Sequence, residues 1–273
     1  MTTPRKITTR VQGTPHGFIR RMVSPGDLAE LIKPFVFLDF VSGQAPAGAG
    51  FGFHPHSGIA TLTYLLDADV SYEDTTGQNG VVRSTGLEWM RAGGGTWHKG
   101  ALNPHGPTVR GFQLWVALPP GMEDGEAEGL YIEPDAVPQQ GNVRVLLGDY
   151  DGAKNPIPTP SPMVYLDVEL DAGESWRFDP PQGHTVSWVF VYSGSAHVAS
   201  EPVEQELVIL DSSDEPFEVV ATKPTRFVMG CALKHEQPLV LGRYSVHTNA
   251  ASLRKGEANI DEIGRRLRAD GRM

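Results

Sequence analysis

Cysteine is nearly absent: Cys231 is the single one in 273 residues. One thiol excludes an intramolecular disulfide framework. Its setting, Phe227-Val228-Met229-Gly230-Cys231-Ala232-Leu233, reads as a buried structural position. Also missing is an apolar run long enough to span a bilayer, so no membrane contact is expected. The opening residues Met1-Thr2-Thr3-Pro4-Arg5-Lys6 lack the apolar stretch of a secretory signal, and a cytoplasmic protein is expected. Positive charge is scarce: 23 Lys and Arg stand against 33 Asp and Glu, a formal net charge of −10. The longest basic stretch is Arg265-Arg266-Leu267-Arg268. Such a chain repels phosphate backbones, so direct nucleic-acid binding is not expected. Helical periodicity is rare as well. A short turn over Asp27–Ile32 follows Ser24-Pro25. The residues from Ala250 to the end carry Ile260, Ile263 and Leu267 on one stripe, which is expected to dock on a β core.

Glycine (31) and proline (22) are plentiful and punctuate many short β-like runs, the pattern of a sandwich or barrel. Thr61–Leu66, Phe112–Leu118, Val186–Tyr192 and Glu206–Leu210 are such runs. In Val164–Leu170, the residues Val164, Leu166, Val168 and Leu170 face one way and Tyr165, Asp167 and Glu169 the other, which predicts a half-buried strand. Pro119–Pro138 reads as a crossing segment. Asp151–Pro162, with four prolines, reads as a projecting loop. A loose internal likeness between Leu62–Val70 and Trp188–Ala196, each a strand running through a small turn into another, suggests duplication of one β unit.

The chain has nine histidines. His54-Pro55-His56 precedes the run Thr61–Leu66, and in a strand residues i and i+2 share a face. His98 follows Gly93-Gly94-Gly95-Thr96-Trp97, where glycines allow a sharp turn and close backbone approach. If the two strands pair, three imidazoles converge, and neutral imidazole is a good ligand for iron, copper, nickel or zinc. By itself the His-x-His spacing is a weak signal, since alternating histidines on a strand are more often polar surface residues.

Several motifs in order resemble the pirin family of the cupin superfamily. They are Pro34-Phe35-Val36-Phe37-Leu38-Asp39, Phe53-His54-Pro55-His56-Ser57-Gly58 with Thr61–Leu66, Asp74–Gly80, Trp89–Gly95 leading to a histidine, and Gly111–Pro119. The resemblance is dense from Pro34 to Pro119 and thinner beyond. It implies an all-β chain of two tandem cupin-type β-barrels (double-stranded β-helix or jelly-roll) with a short C-terminal helix. Residues 1–132 would form the barrel with the histidine cluster, 133–249 a barrel without metal, and 250–273 a helical tail. It implies an iron site in the first barrel whose ligands map onto His54, His56 and His98. The family's glutamate ligand maps onto Gly100, and the glutamate of cupins more broadly maps onto Ala60. Both carboxylates are absent.

A neutral three-histidine set still holds iron(II) or another divalent transition metal, at reduced affinity. His105, on the loop Asn103-Pro104-His105, stands as an additional ligand candidate. Glu88 faces either the barrel or solvent, and Lys99 is expected to point away from the site because strand neighbours alternate. Phe53 and Trp97 are the pocket candidates, with Phe51 and Trp115 nearby, for a flat aromatic substrate. The resemblance implies an oxidoreductase of the quercetin 2,3-dioxygenase type acting on a flavonol or similar aromatic. The alternatives are a non-enzymatic regulatory protein that binds a protein partner, and a branch whose metal site is weakened or lost.

Overall fold

The structure is a computed structural model that describes residues 5–45 and 48–273. The first four residues, part of the stretch read as lacking a signal, lie outside it. No helix among the described residues is long and apolar enough to cross a membrane.

Two units emerge, each built from a larger and a smaller antiparallel sheet, as expected of two cupin-type barrels. The first comprises, of the described residues, 15–30, 35–45, 48–136 and 235–273. Its seven-stranded sheet runs Glu128–Ile132, Leu87–Arg91, Ile59–Leu65, Val109–Ala117, Phe35–Gly43, Ile19–Val23, Thr14–His16, and its four-stranded sheet runs Gly50–His56, Thr96–Pro104, Ala68–Asp74, Asn79–Val82. The second comprises, of the described residues, 5–14, 31–34 and 137–234. Its larger sheet runs Ile7–Val11, Leu207–Leu210, Val186–Ser193, Thr225–Ala232, Met163–Leu170, Val143–Leu147, Gln139–Gln140. The four strands Ser175–Phe178, Phe217–Ala221, Ala196–Val198 and Glu201–Val203 form the smaller sheet.

The internal likeness has a structural counterpart. Ile59–Leu65 and Val186–Ser193 each lie inside the larger sheet of their unit, and each is followed by a strand of the smaller sheet, Ala68–Asp74 or Ala196–Val198.

Met163–Leu170 departs from the half-buried expectation. Val164, Leu166, Val168 and Leu170 enter the core, but Tyr165 and Asp167 on the other face are buried too. Asp167 accepts hydrogen bonds from Tyr192 Oη at 2.8 Å and Arg226 at 3.0 Å, so its burial is compensated. Cys231 lies in this core, where burial pushes its thiol up to about 11. The loop expected to project packs back instead: Asn155 and Ile157 are buried, with Asn155 Nδ2 donating to Val145 O at 2.8 Å. The crossing segment supplies a strand, Glu128–Ile132, that pairs with Leu87–Arg91.

The unit boundaries differ from the expected 1–132, 133–249 and 250–273. Ile7–Val11 pairs with Leu207–Leu210, in the sheet of the second unit. A period of two identifies a strand but not the sheet that it joins, and an unpaired edge at Leu207–Leu210 needs cover. Arg5 fixes this strand, with Nη1 donating to Ser187 Oγ at 3.0 Å and the guanidinium bonding Asp211. The helix Ala250–Ala269 is not a separate tail. It starts at the cap Asn249, whose side chain accepts from the Ala251 and Ser252 amides. It then buries Ile260 and Leu267 within the histidine-bearing unit, with Ile263 half-buried.

Truncating Arg5 therefore tests the N-terminal strand. Arg5→Ala should lower unfolding free energy by about 1.5–3 kcal/mol, the range for hydrogen bonds to a charged group. Urea titration checks this, and an unchanged midpoint would mean that the strand is not anchored this way.

Candidate metal centre

Two neighbouring strands build the centre. Gly50–His56 and Thr96–Pro104 pair antiparallel with His98 opposite His54 and Thr96 opposite His56. His54 and His56 share a face by alternation, and the cross-strand register adds His98 to it. Ring centroids lie 5.0 Å apart for His54 and His56, 4.3 Å for His54 and His98, and 5.2 Å for His56 and His98. One nitrogen from each lies within 4.8 Å of the others. The expected convergence is thus met. The glycine run helps at Gly95, whose φ of +147° suits glycine and where a Cβ would meet Asn259 and Ile260 of the C-terminal helix at 2.9 Å.

Each ring is oriented from behind. His54 Nδ1 donates to Gly52 O at 2.9 Å, and His56 Nδ1 donates to Tyr244 O at 3.1 Å. His98 Nδ1 lies 3.4 Å from Glu88 Oε1. With Nδ1 engaged on all three rings, Nε2 is the nitrogen left with a lone pair. On His98 that Nε2 is buried and has no hydrogen-bond partner. Burial pushes His54 down to about 4 and His56 well below the ordinary histidine value, and the neighbouring imidazoles add to both shifts. His54 and His56 are therefore neutral near pH 7. Three converging imidazoles with one orphaned nitrogen fit a bound divalent metal, which would satisfy the stranded lone pair.

Glu88, left open between barrel and solvent, is buried on Leu87–Arg91 behind His98. The strand is buried on both faces from Leu87 to Met90, so alternation could not orient it. Lys99 points away from the cluster, as expected, with Nζ 2.7 Å from Glu73.

Two expectations need correction. His105 is no part of the cluster: it lies half exposed beyond the strand end, with Nε2 3.0 Å from Asp69 Oδ1, because Asn103 and Pro104 pair with the start of the hairpin at Asp69 and Ala68. Trp97 does not line the cavity. It sits between the inward residues Thr96 and His98, so it faces the other way, and its Nε1 donates to Ile260 O at 2.7 Å. Phe53 lines the cavity as expected, with its ring under two cations, 4.6 Å from Lys99 Nζ and 5.6 Å from Arg272.

Beside the imidazoles lies a cavity of about 580 Å³, within the size range of small-molecule sites. Phe18, Phe37, Phe51, Phe112, Trp115 and Tyr244 give it an aromatic wall. Phe37 and Trp115 stack at 4.1 Å, and Trp115 meets the His56 ring edge-on at 4.8 Å. Arg21 and Asp39 pair on one side, with the guanidinium 4.1 Å over Phe37. Gly100 is also a wall residue, and a Cβ there would meet Val70 at 3.2 Å. Sequence reading missed Tyr244. Its contact with His56 spans 188 residues, and no local pattern reports it.

Two β units of cupin type, one with a buried three-histidine cluster beside an aromatic cavity, define a bicupin. Residues 18–116 match the Pirin family profile. A pirin-like protein of Solanum lycopersicum is 31% identical over 252 residues, covering 86% of this chain and 83% of that one. A Pseudomonas aeruginosa protein, provisionally named a quercetin 2,3-dioxygenase, is 37% identical over 66% of this chain and 67% of its own. The crystal structure of quercetin 2,3-dioxygenase from Acinetobacter baumannii superposes with a TM-score of 0.87 at 24% identity, covering 95% and 98% of the two chains. The chain belongs to the pirin family.

Acid should expose the depressed imidazoles. A histidine whose folded pKa is lowered contributes stability above its unfolded value and loses it as pH falls toward the folded one. For His54 that window runs from about 6.5 down to about 4. The metal-free protein should lose on the order of 3 kcal/mol across it, and His54→Asn should flatten the slope. Urea midpoints between those pH values check this, and a parallel slope in the variant would contradict it.

Proposed function

We propose that His54, His56 and His98 hold a divalent transition metal, iron(II) by family resemblance, and that the cavity beside them takes a flat aromatic substrate. The reaction is the quercetin 2,3-dioxygenase type, oxygenation of a flavonol or similar aromatic. The observation that carries the metal reading is the partnerless, buried Nε2 of His98 beside two imidazoles whose Nδ1 atoms are already engaged. The aromatic wall and the cavity volume support the substrate class, as does the name of the Pseudomonas aeruginosa relative.

A metal bound there would supply Lewis acidity toward a substrate oxygen and the redox chemistry with dioxygen. The protein's own residues do the rest. Phe37 and Trp115, stacked on each other, stiffen an aromatic wall against which a planar ring can pack. The largely apolar wall excludes water from the reacting atoms. Glu88 holds the His98 ring in the orientation that frees Nε2, and its charge strengthens that ring as a donor. Gly100, onto which the family's glutamate maps, brings no carboxylate to the wall, so an ionised substrate oxygen would supply the negative charge that offsets a bound metal.

The full chain loaded with iron(II) should retain about one equivalent and consume oxygen when quercetin is added. His98→Ala should lose both, and Glu88→Gln should weaken metal binding about tenfold to hundredfold. Elemental analysis and an oxygen electrode read these outcomes. No metal uptake by the wild-type chain would overturn the metal reading. Uptake without oxygen consumption would overturn the dioxygenase reading alone.

A further inference from the structure

Behind the metal-facing side of His56 lies a second buried cluster. Ser57 Oγ is 3.0 Å from His247 Nε2 and 2.8 Å from Ser245 Oγ. His247 Nδ1 lies 3.3 Å from Glu123 Oε2, an electrostatic contact that falls short of a well-formed hydrogen bond. Glu123 also accepts from the Thr248 amide at 2.6 Å and the Thr248 hydroxyl at 2.5 Å. The order serine, histidine, carboxylate matches a nucleophile with its base and orienting acid. Burial excludes that use here. Ser57, His247 and Glu123 are 0%, 1% and 1% exposed, and none of them lines the cavity. The helix closes over them at Gly256, where a Cβ would come within 2.6 Å of both His247 Nε2 and Ser57 Oγ.

What the cluster does is join three distant segments at the end of the His-Pro-His strand. Ser57 follows His56 directly. His247 and Thr248 belong to the chain that leads into the C-terminal helix, and Glu123 comes from the segment after the first barrel's closing strand. The same C-terminal stretch carries Tyr244, whose carbonyl holds His56 Nδ1. Ser57 and Ser245 form a parallel bridge, so Tyr244 lies next to His56 in the pairing. The helix reaches the other ligand strand too, through Trp97 and the close approach at Gly264, where a Cβ would lie 2.6 Å from the indole.

We infer that residues 244–248 are a strap belonging to the metal centre, with Glu123 and His247 as positioning residues that set the His56 ring through the Tyr244 carbonyl. The strap would fix which His56 nitrogen is free, a role beyond that of packing. This rests on the metal reading proposed above, but part of it concerns the imidazole itself and needs no metal.

Two readouts separate positioning from stability. In the metal-free full chain, long-range 15N–1H correlation should report His56 as the Nδ1–H tautomer. In Glu123→Gln and in His247→Leu the signal should move toward a mixture of tautomers. With cobalt(II) as the probe, both variants should bind about tenfold to hundredfold more weakly, with shifted d–d absorption. Gly256→Ala, which forces the helix away from His247 and Ser57, should shift the same bands. Leu267→Ala removes packing from the far end of the helix. It should lower thermal stability yet leave tautomer, bands and affinity unchanged. The inference is overturned if Glu123→Gln and His247→Leu, measured on folded protein, keep the wild-type tautomer and cobalt affinity. It is equally overturned if Leu267→Ala perturbs His56 as much as they do. Failure of the wild-type chain to bind cobalt would contradict the metal reading, while the tautomer measurement would still decide the inference.

Discussion

The pairing of His98 with His54 across two antiparallel strands is the constraint on which the site depends. Side chains alternate with a period of two, so a slip of one residue would turn all of a strand's imidazoles away from the cavity. Several contacts hold the register. On the other side of Thr96–Pro104, the strand Ala68–Asp74 pairs with His98 opposite Asp74. Thr75 Oγ1 accepts from the Trp97 amide and contacts Thr96 Oγ1, both at 3.0 Å. From behind, the Trp97 indole is tied to the helix carbonyl of Ile260. The outward residue of the ligand strand thus serves the inward ones: Trp97 contributes no wall to the cavity but resists rotation of the strand that bears His98.

Charge sets the second constraint. Burial keeps His54 and His56 neutral, so the two imidazoles of the His-Pro-His strand bring no charge to the donor set. The carboxylates nearest the cavity are occupied: Asp39 by Arg21, and Glu88 by the rear nitrogen of His98. On the metal reading proposed above, Glu88 would act through the His98 ring, the carboxylate–histidine arrangement that raises ligand basicity. A metal held this way would favour an anionic ligand, which is consistent with the proposed acidic hydroxyl on a flat aromatic.

Much of this was legible in the sequence, and the omissions share a cause. His54, His56 and His98 could be found because spacing and a glycine run are local signals, and the pirin-like motifs supply the strand pairing that spacing alone left open. The β architecture and the docking of Ile260 and Leu267 followed from periodicity. Trp97 and His105 were misread because nearness in sequence was taken for nearness in space. Alternation turns Trp97 outward, and the strand carries His105 past the cluster to Asp69. Tyr244, Glu123 and His247 left no local trace, since their contacts with the His-Pro-His strand or with one another span more than a hundred residues. The N-terminal strand was assigned to the wrong unit for the same reason.

The most direct test of the central claim is X-ray absorption at the metal edge of the zinc-loaded full chain. The structure predicts a first shell with three imidazole nitrogens at about 2.0–2.1 Å, completed by light solvent atoms. Substitution of any one of His54, His56 or His98 should remove one imidazole from that shell. A shell with fewer than three imidazoles in the wild-type chain, or one unchanged by those substitutions, would contradict the account.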